Sequence, residues 1–307
     1  MKQLSILLIL LSFMLTGCIT VIPGQVQTNA TDPKVSTQPS TDADRTGWVT
    51  EASKTYYIKE DGARHTGWLE LNGTRYYLDK QGVLQTGWLL SDGQTYYLKA
   101  DGSICRGKTT IDDRVHYFTA TGEKIMLANP WNIIPSDYEP DLRNIEDGYS
   151  IDKSCKDALQ QMLADCRAAG HKVSIISAYR KRATQITLYN NKVEYYLNQG
   201  LDAATARKEA GKEIAMPGTS EHELGLAVDL VDSDHTTLDN SQENTDTQKW
   251  LMAHSWEYGF ILRYPNNKSE KTGIIYEPWH YRYVGKDLAE VLHSEDLCLE
   301  EYLEKLQ

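Results

Sequence analysis

Three shortages frame this chain of 307 residues. Positive charge is scarce: 32 Lys and Arg against 43 Asp and Glu leave a net charge of −11. That argues against a nucleic-acid partner, because a phosphate backbone is bound by clustered basic residues that release its counterions. Long apolar runs are lacking too. The stretch from Leu4 to Leu15, broken by Ser5 and Ser12, falls short of the roughly 20 residues that a bilayer-spanning helix needs. Finally, no cysteines stand at metal-ligand spacing. Cys155 and Cys166 share one predicted helix, about 16 Å apart, too far to bridge each other. Pairing of either with Cys105 or Cys298 stays open, with buried or free thiols the default. Foldable composition is not lacking: 40% hydrophobic and 24% charged residues argue against wholesale disorder.

The N-terminus reads as an export segment. Lys2 precedes the short apolar run, which fits a secretory signal and ends in Leu15-Thr16-Gly17-Cys18. Those four residues resemble the lipobox of bacterial lipoproteins, which implies cleavage within 1–18 and a diacylglyceryl group on Cys18, hence a membrane partner through the lipid. Residues 19–45 are rich in Thr, Gln, Ser, Asp and Pro without a hydrophobic period, and read as a flexible linker.

From residue 46 to about 127 the chain repeats at an interval of about twenty. Thr46-Gly47-Trp48 recurs as Thr66-Gly67-Trp68 and Thr86-Gly87-Trp88, fading at Arg106-Gly107-Lys108. Between them stand Tyr56-Tyr57, Tyr76-Tyr77, Tyr96-Tyr97 and His116-Tyr117, with Asn72-Gly73, Asp92-Gly93, Asp61-Gly62 and Asp101-Gly102 as turn signals. One such hairpin cannot bury its own aromatic face, so the units are expected to stack as a β-hairpin solenoid with the faded unit as its cap. The repeats resemble the cell-wall-binding repeats of choline-binding proteins, which implies aromatic walls from Trp48, Trp68, Trp88, Tyr57, Tyr77 and Tyr97 for a wall polymer or choline. Where that family usually carries a Trp before the Tyr pair, this chain has Thr55, Arg75, Thr95 and Val115. Pure packing of the solenoid is the alternative role for these aromatics.

From 128 to 307 the texture is that of a mixed domain. A helix is expected over Ser154 to Ala169, with Ser154 and Asp157 as a capping box and Gly170 as its stop. Val173 to Ser177 and Leu226 to Leu230 read as strands. Helices are expected near 181–198, 202–214 and 247–258, and a strand pair near 260–283. Without regular alternation of helix and strand, the pattern predicts α+β with an antiparallel sheet.

Asp229 interrupts the apolar strand, where a carboxylate is costly to desolvate unless it is paired or bound to a metal. His222 stands at the mouth of that strand, and His280 comes from another. Two imidazoles and one carboxylate suit one Zn²⁺ and leave a fourth tetrahedral position for water. Glu277, three residues before His280, is placed to act as a base on that water. Arg180, just past the first strand, is the candidate partner for a developing oxyanion. The histidines at 65, 116, 171, 235, 254 and 293 show no partner pattern and read as surface or packing residues.

These segments resemble the VanY-like D-alanyl-D-alanine carboxypeptidases and their LD-carboxypeptidase relatives. The signatures are Ser220-x-His222 with Gly225 and Asp229, then Glu277-Pro278-Trp279-His280, and upstream Ser177-x-Tyr179-Arg180. The resemblance implies zinc on His222, Asp229 and His280, a general base at Glu277, charge stabilisation by Arg180, and peptide contacts at Ser220, Gln185 and Tyr264. It further implies removal of the C-terminal D-alanine from peptidoglycan stem peptides, outside the membrane, with D,D and L,D cleavage both open. The rival readings are a non-catalytic wall-binding lipoprotein with a zinc scaffold, against which the intact Glu277 speaks, and an endopeptidase acting on cross-bridges.

Overall fold

The structure, a computed structural model, describes residues 46–306. The lipobox-like residues Leu15 to Cys18 and the expected linker 19–45 lie outside those residues. Among the described residues no helix is long and apolar enough to cross a membrane.

Four hairpins come first: β1 (Gly47–Glu51) with β2 (Lys54–Ile58), β3 (Gly67–Leu71) with β4 (Thr74–Leu78), β5 (Gly87–Ser91) with β6 (Gln94–Leu98), and β7 (Gly107–Ile111) with β8 (Arg114–Phe118). Each turns through two residues with positive φ, the geometry that matches the twist of a tight hairpin. Asn72-Gly73 and Asp92-Gly93 do this as their sequence predicts. Ala52-Ser53 and Asp112-Asp113 adopt the same geometry without a glycine, so the first and last turns carried no glycine signal.

Successive hairpins are tied by backbone bonds from Leu84 N to Thr55 O and from Ile104 N to Arg75 O, 2.8 and 2.9 Å. Ile58, Leu78, Leu98 and Phe118, the last residues of the second strands, are almost wholly buried. The fourth hairpin gains a short strand, β9 (Lys124–Ile125), paired to β8. Tyr117 and Ile125 then pack against Leu288, Leu292, Leu299 and Leu303 of the C-terminal helices. The faded repeat thus closes the stack by docking its apolar face on the rest of the chain.

Next comes a ribbon of β10 (Leu142–Asn144) and β11 (Ser150–Asp152), then α1 (Lys153–Ala168) and β12 (Val173–Ser177). Helices α2 (Arg182–Asn198) and α3 (Ala203–Glu213) pair with each other before β13 (Ala227–Asp232). The chain ends through α4 (Asp246–His254), β14 (Phe260–Leu262), α5 (Ser269–Thr272), β15 (His280–Tyr283), α6 (Lys286–Ser294) and α7 (Leu299–Lys305). The sheet order is β12-β13-β15-β14, antiparallel throughout. This is the expected α+β architecture behind a set of hairpins.

The core lies between this sheet and α1. Cys155, Leu159, Met162, Leu163 and Cys166 recur at helical spacing and meet Ile175, Val228, Leu230, Phe260 and Tyr281. Truncating one such leucine to alanine costs about 2–5 kcal/mol. The helix start differs from the sequence reading. Asp152, not Ser154, is the cap, its Oδ1 accepting from Ser154 N at 2.9 Å. Its extended backbone belongs to β11, so the ribbon delivers the cap and the helix begins one residue earlier. Cys105, Cys155, Cys166 and Cys298 are all free and buried.

Candidate metal centre

Strand register brings the site together. Asp229 on β13 lies opposite His280 on β15 and, on its other side, opposite Ser177 on β12. A bulge between Ile175 and Ser177 shifts the end of β12, as bulges beside functional sites often do to re-aim a strand end. The following residue, Ala178, presents its carbonyl to His222 Nδ1 at 2.7 Å.

His222 sits on a single helical turn, Glu221–Leu224, that ends at Gly225 in a left-handed conformation, φ 71°. A Cβ at Gly225 would lie 3.2 Å from both Asp152 N and Pro140 Cβ, so only glycine lets the turn approach the β11 ribbon without a shift. Glu223 braces the same loop, accepting from Gly218 N and from Arg182 Nε, both at 2.7 Å.

The three expected ligands converge. One donor atom from each of His222, Asp229 and His280 lies within 4.8 Å of the others, and all three residues are buried. His222 Nε2 stands 3.2 Å from Asp229 Oδ2, and His280 Nδ1 stands 3.0 Å from Asp229 Oδ1. A carbonyl can only accept, so His222 Nδ1 carries the proton and Nε2 offers a lone pair. Burial, the largest influence, holds His222 below its ordinary pKa, with Arg180 and His280 adding to the effect and Asp229 opposing it. A neutral imidazole lone pair therefore faces a carboxylate oxygen, two acceptors with nothing of the protein's own between them. A divalent cation fits that arrangement, and the mixed N/O donor set suits zinc.

Asp229 is held far below the usual carboxylate range: burial opposes ionisation, but His222 and His280 outweigh it. For His280 burial also opposes charge, yet the neighbouring carboxylates of Asp229 and Glu221 raise it to about 9.

Glu277 Oε2 is 3.7 Å from His280 Nδ1. Its backbone is fixed on both sides, Glu277 N donating to Tyr264 O and His280 N to Glu277 O, each 3.1 Å. Burial raises its carboxyl to about 8, with Asp229 adding and His280 and Arg180 opposing. Arg180 Nη2 lies 3.8 Å from Asp229 Oδ2 and donates to Ser177 Oγ at 2.7 Å. Arg180 N donates to His222 O at 3.0 Å. Both side chains thus lie beside the three donor residues.

The three expected peptide contacts are brought to the site in different ways. Gln185 is buried, its Oε1 accepting from Arg180 Nη1 at 2.9 Å and its Nε2 donating to Ala215 O at 2.6 Å; both polar ends work within the protein to hold Arg180. Tyr264 is buried with its ring 4.7 Å from that of His280, so it supports a ligand. Ser220 is buried at the start of the His222 turn, and its carbonyl accepts from Glu223 N at 3.0 Å.

Sequence reasoning missed the residues behind His280. Glu221 Oε1 accepts from Arg263 Nε and Arg282 Nη1, both 2.7 Å, and its Oε2 lies 3.5 Å from His280 Nε2. Arg263 also forks onto Glu300 at 2.8 and 2.6 Å. Nothing in the spacing of these charged residues reports their burial.

In the hairpins, Trp48, Trp68 and Trp88 pair across strands with Tyr57, Tyr77 and Tyr97. Their ring centroids lie 5.3, 5.1 and 5.0 Å apart, edge to face. Each Trp also meets the next unit, at Tyr76, Tyr96 and His116, residues the sequence reading had not placed in the walls. Arg75 lies over Trp68 at 4.3 Å and Lys124 over Trp88 at 4.9 Å. A cleft of about 660 Å³ runs between the third hairpin, β9 and α6, lined among others by Leu90, Glu123, Asp152, Arg282 and Lys286. None of the three ligands lines it.

The family described as D-alanyl-D-alanine carboxypeptidase, VanY, matches residues 148–286, and a cell wall binding repeat of the choline-binding type matches 46–63, 66–84 and 86–104. A D-alanyl-D-alanine carboxypeptidase of Enterococcus faecalis is 41% identical over 180 residues, 58% of this chain and 65% of that protein. The match thus spans just under two thirds of that relative's length. The solved structure of VanYB in complex with D-alanine-D-alanine superposes with a TM-score of 0.55 at 39% identity, covering 59% of this chain and 98% of that one. A variant of the vancomycin resistance D,D-pentapeptidase VanY in complex with Zn(II) gives 0.53 at 39% identity, covering 58% and 97%. The chain belongs to the VanY D-alanyl-D-alanine carboxypeptidase family, with cell wall binding repeats ahead of its peptidase segment.

Proposed function

We propose that this chain is a zinc-dependent carboxypeptidase that removes the C-terminal D-alanine from peptidoglycan stem peptides. One observation carries the reading: His222, Asp229 and His280 offer donor atoms within 4.8 Å of one another, with Glu277 3.7 Å from His280. The relatives named as D-alanyl-D-alanine carboxypeptidases, and the neighbour holding Zn(II), support it.

When bound by His222 Nε2, Asp229 and His280 Nδ1, a zinc ion supplies Lewis acidity to the scissile carbonyl and to water. The rest falls to side chains of this chain. Glu277 takes a proton from the attacking water and returns it to the amine of the departing D-alanine, so acid and base are one residue. Arg180, steered by Gln185 and Ser177, places a guanidinium beside the site for the charge that builds on the carbonyl oxygen. Ser220 and Tyr264 are buried beside His222 and His280.

We assign residues 128–307 to the peptidase and 46–127 to wall binding, with peptidoglycan or another wall polymer as partner. The lipobox residues Leu15 to Cys18 support anchoring of the protein to the outer face of the membrane. Tethering in this way raises the local concentration of a polymeric substrate without altering the site.

The test is incubation of the protein with stem peptides ending in D-Ala-D-Ala and with tetrapeptides, read by mass spectrometry. Loss of one alanine, abolished by a chelator and by Glu277→Gln, is expected. Cleavage that persists in Glu277→Gln would refute the assigned role of that carboxylate.

A further inference from the structure

We propose that Glu221 is the positioning residue of the metal centre, orienting His280, and that the junction Met126 to Asn129 after the hairpins is part of its support. The inference rests on the metal-binding reading above and names what holds that site in register.

Among the described residues, two buried side-chain polar atoms have no hydrogen-bond partner: Glu221 Oε2 and His280 Nε2. They face each other at 3.5 Å. Buried polar atoms are almost always satisfied, so two orphans aimed at one another mark a single bond that closes with a few tenths of an ångström of movement. Only one of the pair can donate. With the proton on Nε2 and held by Glu221, the other ring nitrogen, Nδ1, presents its lone pair on the side of Asp229, 3.0 Å away. A carboxylate behind a ligating imidazole fixes tautomer and ring direction, and its loss elsewhere costs metal sites on the order of 10–100-fold in affinity or activity.

Glu221 is well built for that task. Its side chain is fully buried, and Arg263 Nε and Arg282 Nη1 both donate to Oε1 at 2.7 Å. The two guanidiniums keep it an acceptor and leave only Oε2 free to turn toward His280. Each arginine is itself anchored. Arg263 forks onto Glu300, whose Oε1 accepts from Asn129 Nδ2 at 2.9 Å. Arg282 Nη2 donates to Met126 O at 2.5 Å. Two arginines and two glutamates balance in charge, which makes their joint burial tolerable. Both anchors come from the few residues after β9, where the hairpins end. The wall-binding part is therefore connected to the metal through Met126 and Asn129, the arginine pair, Glu221 and His280.

The test uses the full chain and Zn²⁺ alone as probe. In the zinc-loaded wild type, long-range ¹H–¹⁵N correlation should place the His280 proton on Nε2; a proton on Nδ1 would overturn the proposal without need of any variant. Glu221→Gln should weaken zinc affinity on the order of 10–100-fold in competition with a chromophoric chelator. The two arginines claim the amide oxygen, which turns an NH₂ toward His280 Nε2. Asn129→Ala, remote from the ion, should weaken affinity by a few-fold with native circular dichroism. Wild-type affinity in folded Glu221→Gln, or in Asn129→Ala, refutes the corresponding half of the proposal. A wild type that binds no zinc would instead sink the reading on which it rests, so the two failures are distinct.

Discussion

Asp229 and His280 are direct cross-strand partners on β13 and β15, with Oδ1 and Nδ1 3.0 Å apart. Because side chains alternate along a strand, a register slip of one residue would send one of them to the opposite face. The metal site is thus a property of strand pairing as much as of the residues themselves.

Replacing Asp229 with alanine should abolish stoichiometric zinc. Atomic absorption after dialysis would show well under one ion per chain, against one for the wild type. Zinc should also raise the thermal midpoint of the wild type and leave the variant's unchanged, since a ligand stabilises only the state that binds it.

Glu277→Gln should retain zinc while alanine release falls by about 10²–10⁴-fold, the usual contribution of a positioned general base. Metal content measured on the same sample separates loss of chemistry from loss of the ion. A variant both zinc-loaded and active would contradict the assignment.

Arg180→Ala should lower kcat by about 10²–10³-fold, as loss of an oxyanion partner does. Gln185→Leu should have a smaller effect in the same direction, because it leaves Arg180 in place and removes the bond at 2.9 Å that steers it, along with the bond to Ala215 O. If Gln185 instead contacted the peptide directly, KM would rise with kcat unchanged. Steady-state kinetics on one pentapeptide decides between them.

Acid should destabilise the peptidase core through Glu221. Burial works against its ionised form, but Arg263 and Arg282 hold its carboxyl far below the usual range. A group whose folded pKa is depressed contributes stability above its unfolded value, about 4.3, and that stability is lost as pH falls through the folded value. Calorimetric midpoints should therefore fall as pH drops below about 4.3, and less steeply in Glu221→Gln. Parallel curves for the two proteins would contradict this.

The hairpins should hold wall material without a strong response to choline. Arg75 and Lys124 already lie over the Trp68 and Trp88 rings at 4.3 and 4.9 Å, where a quaternary ammonium would compete for the same face. Tryptophan fluorescence should show no saturable change on titration with choline. Sacculi should still sediment the protein, and Trp48→Ala, at a residue that is 40% exposed, should weaken that retention.

Much of this was legible from the residues alone. The period of twenty announced the hairpins, apolar spacing announced α1, and an aspartate inside an apolar strand pointed to a ligand. Local signals misled where the decisive contact was not local. Ser154 looked like a helix cap, yet Asp152 is one because β11 hands the chain over in extended form. Nor does the sequence show that Gln185 donates no bond to Arg180 but accepts one from it, or that the Tyr264 ring packs 4.7 Å from that of His280.

The sequence by itself determined which residues could perform the chemistry: two histidines, an aspartate and a glutamate of suitable type, in segments that fold as strand and turn. Only the tertiary structure decided how they are supported. Glu221, Arg263, Arg282 and Glu300 read as ordinary charged residues along the chain, since nothing in their spacing reports burial. Their meeting behind His280 depends on contacts across 37 to 61 residues of sequence, and such contacts follow from how the sheet and helices pack around one another.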